Sequence, residues 1–495
     1  MTPPLAHRVD AILRPDPGRV VARLYLAGEE LPRGDSRTGA VVARVLALPE
    51  SVVERAARQL QSDFSSRHRD FSALIADNAA MVSSHLDKAA APMSAARALV
   101  LGASFTAEYS VEGAALCNPS ATPHPDQSGL DAGQLRVAVS VRCIGEGHIS
   151  SIGFATAVIG PGPSWTFEPR QRPAVAGASR PTHWQAEHLR AVLADMGQID
   201  GLAHSVLASL PATFTQAGLE KALAEAHADL LARPGAQGTV DLMRHLVSSA
   251  YEVTFPADTA ISQQILLPSA SDESNGLEDA RLVRFVDADG AVEYRATYTA
   301  FDGVRIAPRI LTSPDLRTFR AHRLAGPAAR NKGMALFPRL VGGRHRSLCR
   351  SDGENNYIAS SDDGLVWGSP KRIGSPDSIW EVLQVGNCGS PLETEQGWLV
   401  LTHGVGPMRS YAIGALLLDL DEPSRVVKKL ERPLLQPMPS ERDGYVPNVV
   451  YSCGGLVHDG RLWLPHGIDD ARIGVAWADV DELIAAMTPV GDGAR

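Results

Sequence analysis

What this chain has little of narrows its function before any motif is read. Cysteine is sparse. Cys117, Cys143, Cys349, Cys388 and Cys453 are odd in number, scattered, and never spaced as Cys-x-x-Cys. That usage argues against a disulfide scaffold and a zinc ribbon; it predicts reduced, buried thiols in a cytoplasmic protein with no metal site. Long basic runs are missing, and the formal net charge is -9. A nucleic-acid surface needs clustered Lys and Arg, so no nucleic-acid partner is expected. No stretch approaches the roughly 18 apolar residues of a membrane span. Residues 1–8 lack the apolar core of a signal peptide. The Gly-x-x-x-x-Gly-Lys-Ser/Thr and Gly-x-Gly-x-x-Gly loops and the His-Glu-x-x-His motif are also missing. These gaps remove common nucleotide-binding and zinc-protease classes.

Hydrophobic residues make up 44% of the 495 positions, enough for a sizeable core. The chain then changes character along its length. Residues 1–95 read as a mostly helical N-terminal α/β extension, with one strand over 20–26. Ser51-Val52-Val53-Glu54 has the form of a capping box, followed by apolar residues at helical spacing. A second helix is expected over about 70–86. From 96 to 495 the pattern is mainly β, interrupted by a helical insertion at about 181–250. Leu135 to Val141 alternates apolar with polar or small residues, as a half-buried strand does. Thr182-His183-Trp184-Gln185 is another capping-box candidate, and 480–487 reads as a short closing helix.

A weak repeat favours a propeller among the all-β folds. Ser360 to Trp367 has the form S-x-D-x-G-x-x-W, and Thr312 to Phe319 is a degenerate copy. In such a turn the Asp accepts amides, the Gly takes positive φ, and the aromatic packs back into the blade. Two unrelated hairpins would explain the same pair.

Four segments carry candidate chemistry. Asn275-Gly276-Leu277-Glu278-Asp279-Ala280-Arg281 puts two carboxylates and a guanidinium on a turn entering a strand. A carboxyl near other acids can have its pKa raised enough to donate a proton. A structural Glu–Arg pair would read the same way. Arg330, Lys332 and, at the end of the next strand, Arg350 could converge as an oxyanion site. A buried strand from Gly397 ends in His403 and Gly404, with Arg409 and Tyr411 just beyond. His466-Gly467-Ile468-Asp469-Asp470 ends another apolar strand.

Together these segments resemble glycoside hydrolase family 130, the β-mannoside phosphorylases and related mannosidases. The resemblance rests on Glu278-Asp279-Ala280-Arg281, Tyr298 to Gly303, Lys332 with Leu336-Phe337-Pro338, Gly397 to Val405, Gly414 to Leu420, Val446 to Val450, Gly467 and Asp470. It is strong over 250–480 and extends more loosely to Asn118-Pro119-Ser120. It implies a five-bladed β-propeller with a central active site. It makes Asp279 the general acid, and makes Arg330, Lys332, Arg350, His403 and Tyr411 phosphate-binding residues. Asn118, Arg281, Tyr298, Asp302 and Asp470 are expected to contact sugar. The implied reaction is inverting phosphorolysis of a β-mannoside, with inorganic phosphate as co-substrate and no cofactor. Ala280 stands where the family usually has Pro, and the N-terminal extension and helical insertion are additions. These leave linkage, acceptor and homo-oligomer formation open.

Two other readings compete. A hydrolase of the same fold would need a carboxylate base, for which Glu354 or Glu381 is available. A non-catalytic sugar-binding propeller would need no acid at the scissile oxygen.

Overall fold

The computed structural model describes residues 4–26, 37–83 and 93–491. The chain divides into two units. One comprises Met1–Pro15, Ala114–Arg170 and Gly177–Arg495; the other comprises Asp16–Gly113 and Gln171–Ala176.

The larger unit is mainly β. Among the described residues most of its strands fall into five mainly antiparallel groups, two of them joined in one sheet, and a further two-stranded pair lies in the helical insertion. Ala115–Pro123, Leu135–Ile144 and Ser150–Ile159 make the first. Gly276–Val286, Val292–Phe301, Ile306–Ser313, Thr318–Arg323 and Tyr251–Thr254 follow in spatial order. A single parallel pair, Gly276 with Ser150, joins these two groups into one sheet. The third is built on His345–Cys349 and the fourth on Gly397–Val405 with Tyr411–Leu418. The fifth holds Arg461–Ile468, Arg472–Asp479 and, from the other end of the chain, His7–Leu13. The N-terminal strand therefore closes the last sheet, and residues 1–15 belong to the β unit. Backbone pairing with Arg472–Asp479 brings His7–Leu13 into this unit, although the sequence analysis read one strand, 20–26, in residues 1–95.

Turn chemistry recurs where the repeat predicts it. Asp363 accepts the amides of Leu365 at 2.8 Å and Val366 at 2.9 Å. Gly364 takes φ 74°, and Trp367 is fully buried. In the degenerate copy Asp315 accepts the amides of Arg317 and Thr318, both at 2.9 Å. There Leu316 takes the positive φ, and Phe319 packs inward.

The helical insertion has its own apolar core around Leu189, Leu193, Val206, Leu219, Met243 and Leu246. Its caps are Asp200, which accepts the Ala203 amide at 2.8 Å, and Thr215, which accepts that of Gly218 at 3.3 Å. The Thr182 capping box does not form. Trp184–Gln185 instead pairs with Thr213–Phe214, and the first helix starts at Ala186.

The smaller unit pairs Val20–Leu24 with Thr106–Ser110 and packs four helices. Val53, Val82, Leu101 and Phe105 fill its centre. Gly102 lets the Ala95–Ser104 helix cross close over Ile75, whose carbonyl a Cβ would strike. Here the Ser51 cap expected from sequence is displaced, since the helix already begins at Glu50 after Pro49. The helix expected over 70–86 spans Phe71–Ser83, and Leu86 lies outside the described residues. No described helix is long and apolar enough to cross a membrane.

Candidate active site

Two neighbouring strands kink at one place. Pairing of Gly276–Val286 with Val292–Phe301 slips between Glu278 and Arg281, and Asp279 sits at φ 58°. Pairing of Ala115–Pro123 with Leu135–Ile144 slips between Cys117 and Ser120, and Asn118 sits at φ 48°. Bulges re-aim side chains, and Asn and Asp tolerate positive φ better than bulkier residues. Ser120 ties the two strands together, its Oγ accepting the Leu282 amide at 3.0 Å. Asn118 Nδ2 then donates to Asp279 Oδ1 at 2.5 Å. The carboxylates thus lie inside a bulged strand, not on the turn before it that the sequence suggested.

Cations surround them. Arg142 donates to Glu278 Oε1 at 2.6 Å, to Asp279 Oδ1 at 3.3 Å and to Ser150 Oγ at 2.9 Å. Lys332 Nζ donates to Glu278 Oε2 at 2.5 Å. Arg281 is fully buried and donates to the Cys388 carbonyl at 2.7 Å, the Asp279 carbonyl at 3.1 Å and the Tyr451 hydroxyl at 2.8 Å.

These contacts reverse an expectation. Burial alone would raise the Asp279 pKa, but Arg142, Lys332, Arg281 and the Asn118 hydrogen bond hold it below the ordinary aspartate value. Among the protein's own groups Asp279 is therefore ionised at neutral pH. Asp470 moves the other way. Burial, reinforced by the charges of Asp279 and Asp469 and opposed by Arg142, pushes it up to about 6.

The second half of the site is built on Arg350 and His403. Arg350 Nη1 lies 3.3 Å from His403 Nε2, and Nη2 donates to the Gly353 carbonyl at 2.5 Å. They meet because Gly386 has no side chain: a Cβ there would come within 2.5 Å of Arg350 Cδ and strike the His403 ring. His403 packs edge-on against Tyr451 at 4.9 Å and stacks with Tyr411 at 6.3 Å. Burial, then the Arg350 and Arg281 charges, hold the His403 pKa well below that of a free imidazole. The ring is therefore neutral near pH 7 and adds no charge to Lys332 and Arg350. Tyr451 links the halves, with its hydroxyl on Arg281 and its ring on His403.

Asn118, Asp279, Arg281, Lys332, Arg350, His403, Tyr411 and Asp470 are thus connected by direct contacts or charge coupling. Three expected residues are not part of this network. Arg330 is exposed and pairs with Asp195 of the helical insertion at 3.2 Å. Tyr298 is buried, its hydroxyl donating to Glu273 at 2.6 Å within a separate cluster around Arg309. Asp302 spends its carboxylate on the amides of Val304 and Arg305 in its own turn. Neither carboxylate weighed as a hydrolytic base bonds into the network. Glu381 is held by Lys429 at 2.6 Å, and the Glu354 backbone belongs to the Asp352 turn.

Arg142 and Tyr451 escaped the sequence reading. Arg142 follows directly on the alternating Leu135 to Val141 run, and a cation closing an apolar strand is the feature that marked Arg350. Tyr451 offers no comparable mark.

A mainly-β frame gathers buried carboxylates, an amide, guanidinium groups and tyrosines around two strand kinks, a set of donors and acceptors that suits a carbohydrate. The matches to known proteins narrow this. Residues 250–488 fit the family model described as beta-1,4-mannooligosaccharide phosphorylase. The chain is 34% identical over 230 residues to a 1,2-beta-oligomannan phosphorylase of Thermoanaerobacter sp. (strain X514), covering 45% of this chain and 75% of that protein. It is 31% identical over 166 residues to a beta-1,4-mannooligosaccharide phosphorylase of Ruminococcus albus, covering 31% of this chain and 50% of the relative. The solved beta-1,2-mannobiose phosphorylase from Listeria innocua, in complex with beta-1,2-mannobiose, aligns over 77% of this chain and 93% of its own. The TM-score is 0.45 and the identity 19%. The chain belongs to glycoside hydrolase family 130.

Proposed function

We propose that this chain is an inverting β-mannoside phosphorylase. It would convert a β-manno-oligosaccharide and inorganic phosphate into α-mannose 1-phosphate and a sugar shortened by one residue. The observation that carries this reading is the convergence of Lys332, Arg350, His403 and Tyr411 with Asp279 across Arg281 and Tyr451. A phosphate dianion loses hydration on entering such a site, and charge-assisted hydrogen bonds replace it. Water as nucleophile would have no use for the Arg350 side of the site. The relatives named above are phosphorylases.

In this reading a phosphate oxygen attacks the anomeric carbon from the face opposite the leaving oxygen. The glycosidic C–O bond breaks, and the proton travels from Asp279 through a mannosyl hydroxyl to the leaving oxygen. Asp279 must first acquire that proton. Phosphate drawn to Lys332 and Arg350 offsets the charges that depress Asp279, so its pKa rises as the anion arrives. Asn118, Arg281 and Asp470 are the sugar-contacting groups of this proposal. The five antiparallel groups would be the five blades of a propeller with Asp279 at the centre. A cytoplasmic setting belongs to the same reading, and the five buried, free cysteines suit a reducing compartment.

The test is incubation of the full chain with β-1,2- and β-1,4-mannobiose, with and without phosphate, followed by chromatography of the products. α-Mannose 1-phosphate should form only with phosphate. Asp279→Asn should lose about 10²–10⁴-fold in turnover while still binding sugar. Equal mannose release without phosphate, and no sugar phosphate at any time, would make the protein a hydrolase.

A further inference from the structure

A cavity of about 830 Å³ lies away from the Asp279 network. Trp184, His188, Glu252, Arg180, Arg320 and His322 line it. They come from the start of the helical insertion and from the outer strands of the Asp279 sheet. Tyr251–Thr254, which carries Glu252, stands four strands from Gly276–Val286 in the pairing order. At a strand spacing of about 4.8 Å, that is on the order of 20 Å from Asp279.

One side of the cavity is aromatic. Trp184 stacks on His188 at 5.0 Å and meets His322 edge-on at 6.5 Å. The indole N–H is already used, donating to the Val247 carbonyl at 3.1 Å. Each imidazole keeps one nitrogen unpaired. His188 Nε2 and His322 Nδ1 are buried without a hydrogen-bond partner, and His188 is only 3% exposed. A buried polar atom left unpaired costs free energy that a bound partner can recover. Burial pushes both imidazole pKa values down to about 4, so both rings are neutral at neutral pH. A neutral imidazole nitrogen either donates or accepts, which suits a hydroxyl group.

The rim fits the same ligand. Glu252 accepts from Arg180 Nε at 3.0 Å and from Arg320 Nε at 2.8 Å. A carboxylate held between the two guanidinium groups offsets much of their pull on a free anion, while their remaining N–H groups stay available. A metal is disfavoured too: among the described residues, no group of three or more His, Cys, Asp or Glu is placed to hold one. An aromatic wall, unpaired neutral nitrogens and a mostly charge-balanced rim match a neutral polyhydroxylated chain.

We infer that this cavity is a second carbohydrate-binding site, separate from the catalytic one, that takes a neutral segment of an oligosaccharide. Its ligand, a β-mannooligosaccharide, rests on the function proposed above. Such a site would hold a long substrate to the enzyme between turnovers and would matter little for a disaccharide.

The experiment is isothermal titration of the full chain with neutral β-mannotetraose, paired with crystals soaked in the same sugar. Two sites should appear in the wild type, with density in this cavity. His322→Phe should reduce the count to one and leave kcat/KM on β-mannobiose within twofold. Arg320→Ala, on the exposed rim, is the second variant and should weaken the cavity site at least fivefold if His322→Phe misfolds. Absence of sugar density from this cavity in the wild type would overturn the inference, as would two sites that neither variant changes. Displacement of the sugar from this cavity by micromolar inorganic phosphate would also overturn it, since that marks an anion site. If tetraose fills the cavity but no phosphorolysis occurs, the inference stands and the catalytic reading falls. If phosphorolysis proceeds and the cavity stays empty, only the inference falls.

Discussion

Arg142→Met should destabilise the larger unit, and the cost should depend on pH. The substitution keeps most of the aliphatic bulk but removes the guanidinium that bridges Glu278 at 2.6 Å and Asp279 at 3.3 Å. Breaking a buried ion pair by deleting one partner costs about 3–5 kcal/mol, because the other charge stays buried and uncompensated. Two features lower the figure. Lys332 still holds Glu278 at 2.5 Å, and the Arg142 side chain keeps 20% of its exposure. An expected loss of about 3 kcal/mol at pH 7 follows. The sign with pH can be worked out. In the wild type the Asp279 pKa is depressed, so its charge contributes stability above the unfolded value, which is lost only as pH falls through the folded value. Without Arg142 burial has less to oppose it and the Asp279 pKa moves up. The gap between wild type and variant should therefore be widest at pH 7 and shrink as pH falls and Asp279 protonates in the variant. Urea unfolding at pH 7.0 and pH 4.5 measures both gaps. An equal loss at the two pH values would mean that Arg142 matters as packing and would refute the electrostatic argument.

Other outcomes follow from the same geometry. Asp470 carries a pKa raised to about 6, so its ionisation opposes folding as pH rises from the unfolded aspartate value through 6. Asp470→Asn should therefore raise stability by about 3 kcal/mol at pH 8 and change it little at pH 4, read from melting at both pH values. Gly386→Ala should push Arg350 and His403 apart and raise the phosphate KM at least tenfold with a smaller change in kcat; unchanged phosphate kinetics would contradict the convergence described above. Arg330→Ala should leave the phosphate KM within twofold, because its guanidinium pairs with Asp195. Phosphate binding at pH 7 should take up protons, seen as a dependence of calorimetric heat on buffer ionisation enthalpy, since the anion relieves the cations that depress Asp279.

The β character of 135–141 was legible in the sequence because apolar side chains at alternating positions are a local property, whereas the start of 276–286 read as a turn and its bulge needed the neighbouring strand. The turns at Asp315 and Asp363 were legible for the same reason: their hydrogen bonds close within three residues. The family resemblance likewise drew Asp279, Lys332, Arg350 and His403 from separate strand ends. Capping at Ser51 and Thr182 was misread, because a preceding Pro49 in one case and strand pairing in the other took the backbone first.

Sequence alone determined the strand character of 135–141 and 397–403 and which residue types carry charge to strand ends, and the family resemblance it carries pointed to the chemistry of sugars and anions, but it missed the strand at His7–Leu13. Only the tertiary structure decided the protonation of the site. Residue types around Asp279 suggested a raised pKa, yet Arg142, 137 positions away, turns the balance downward. It also decided that His403 is neutral and that His7–Leu13 closes the last sheet. Charge balance, burial and strand closure are sums over neighbours in space, and a linear pattern holds no record of which neighbours those are.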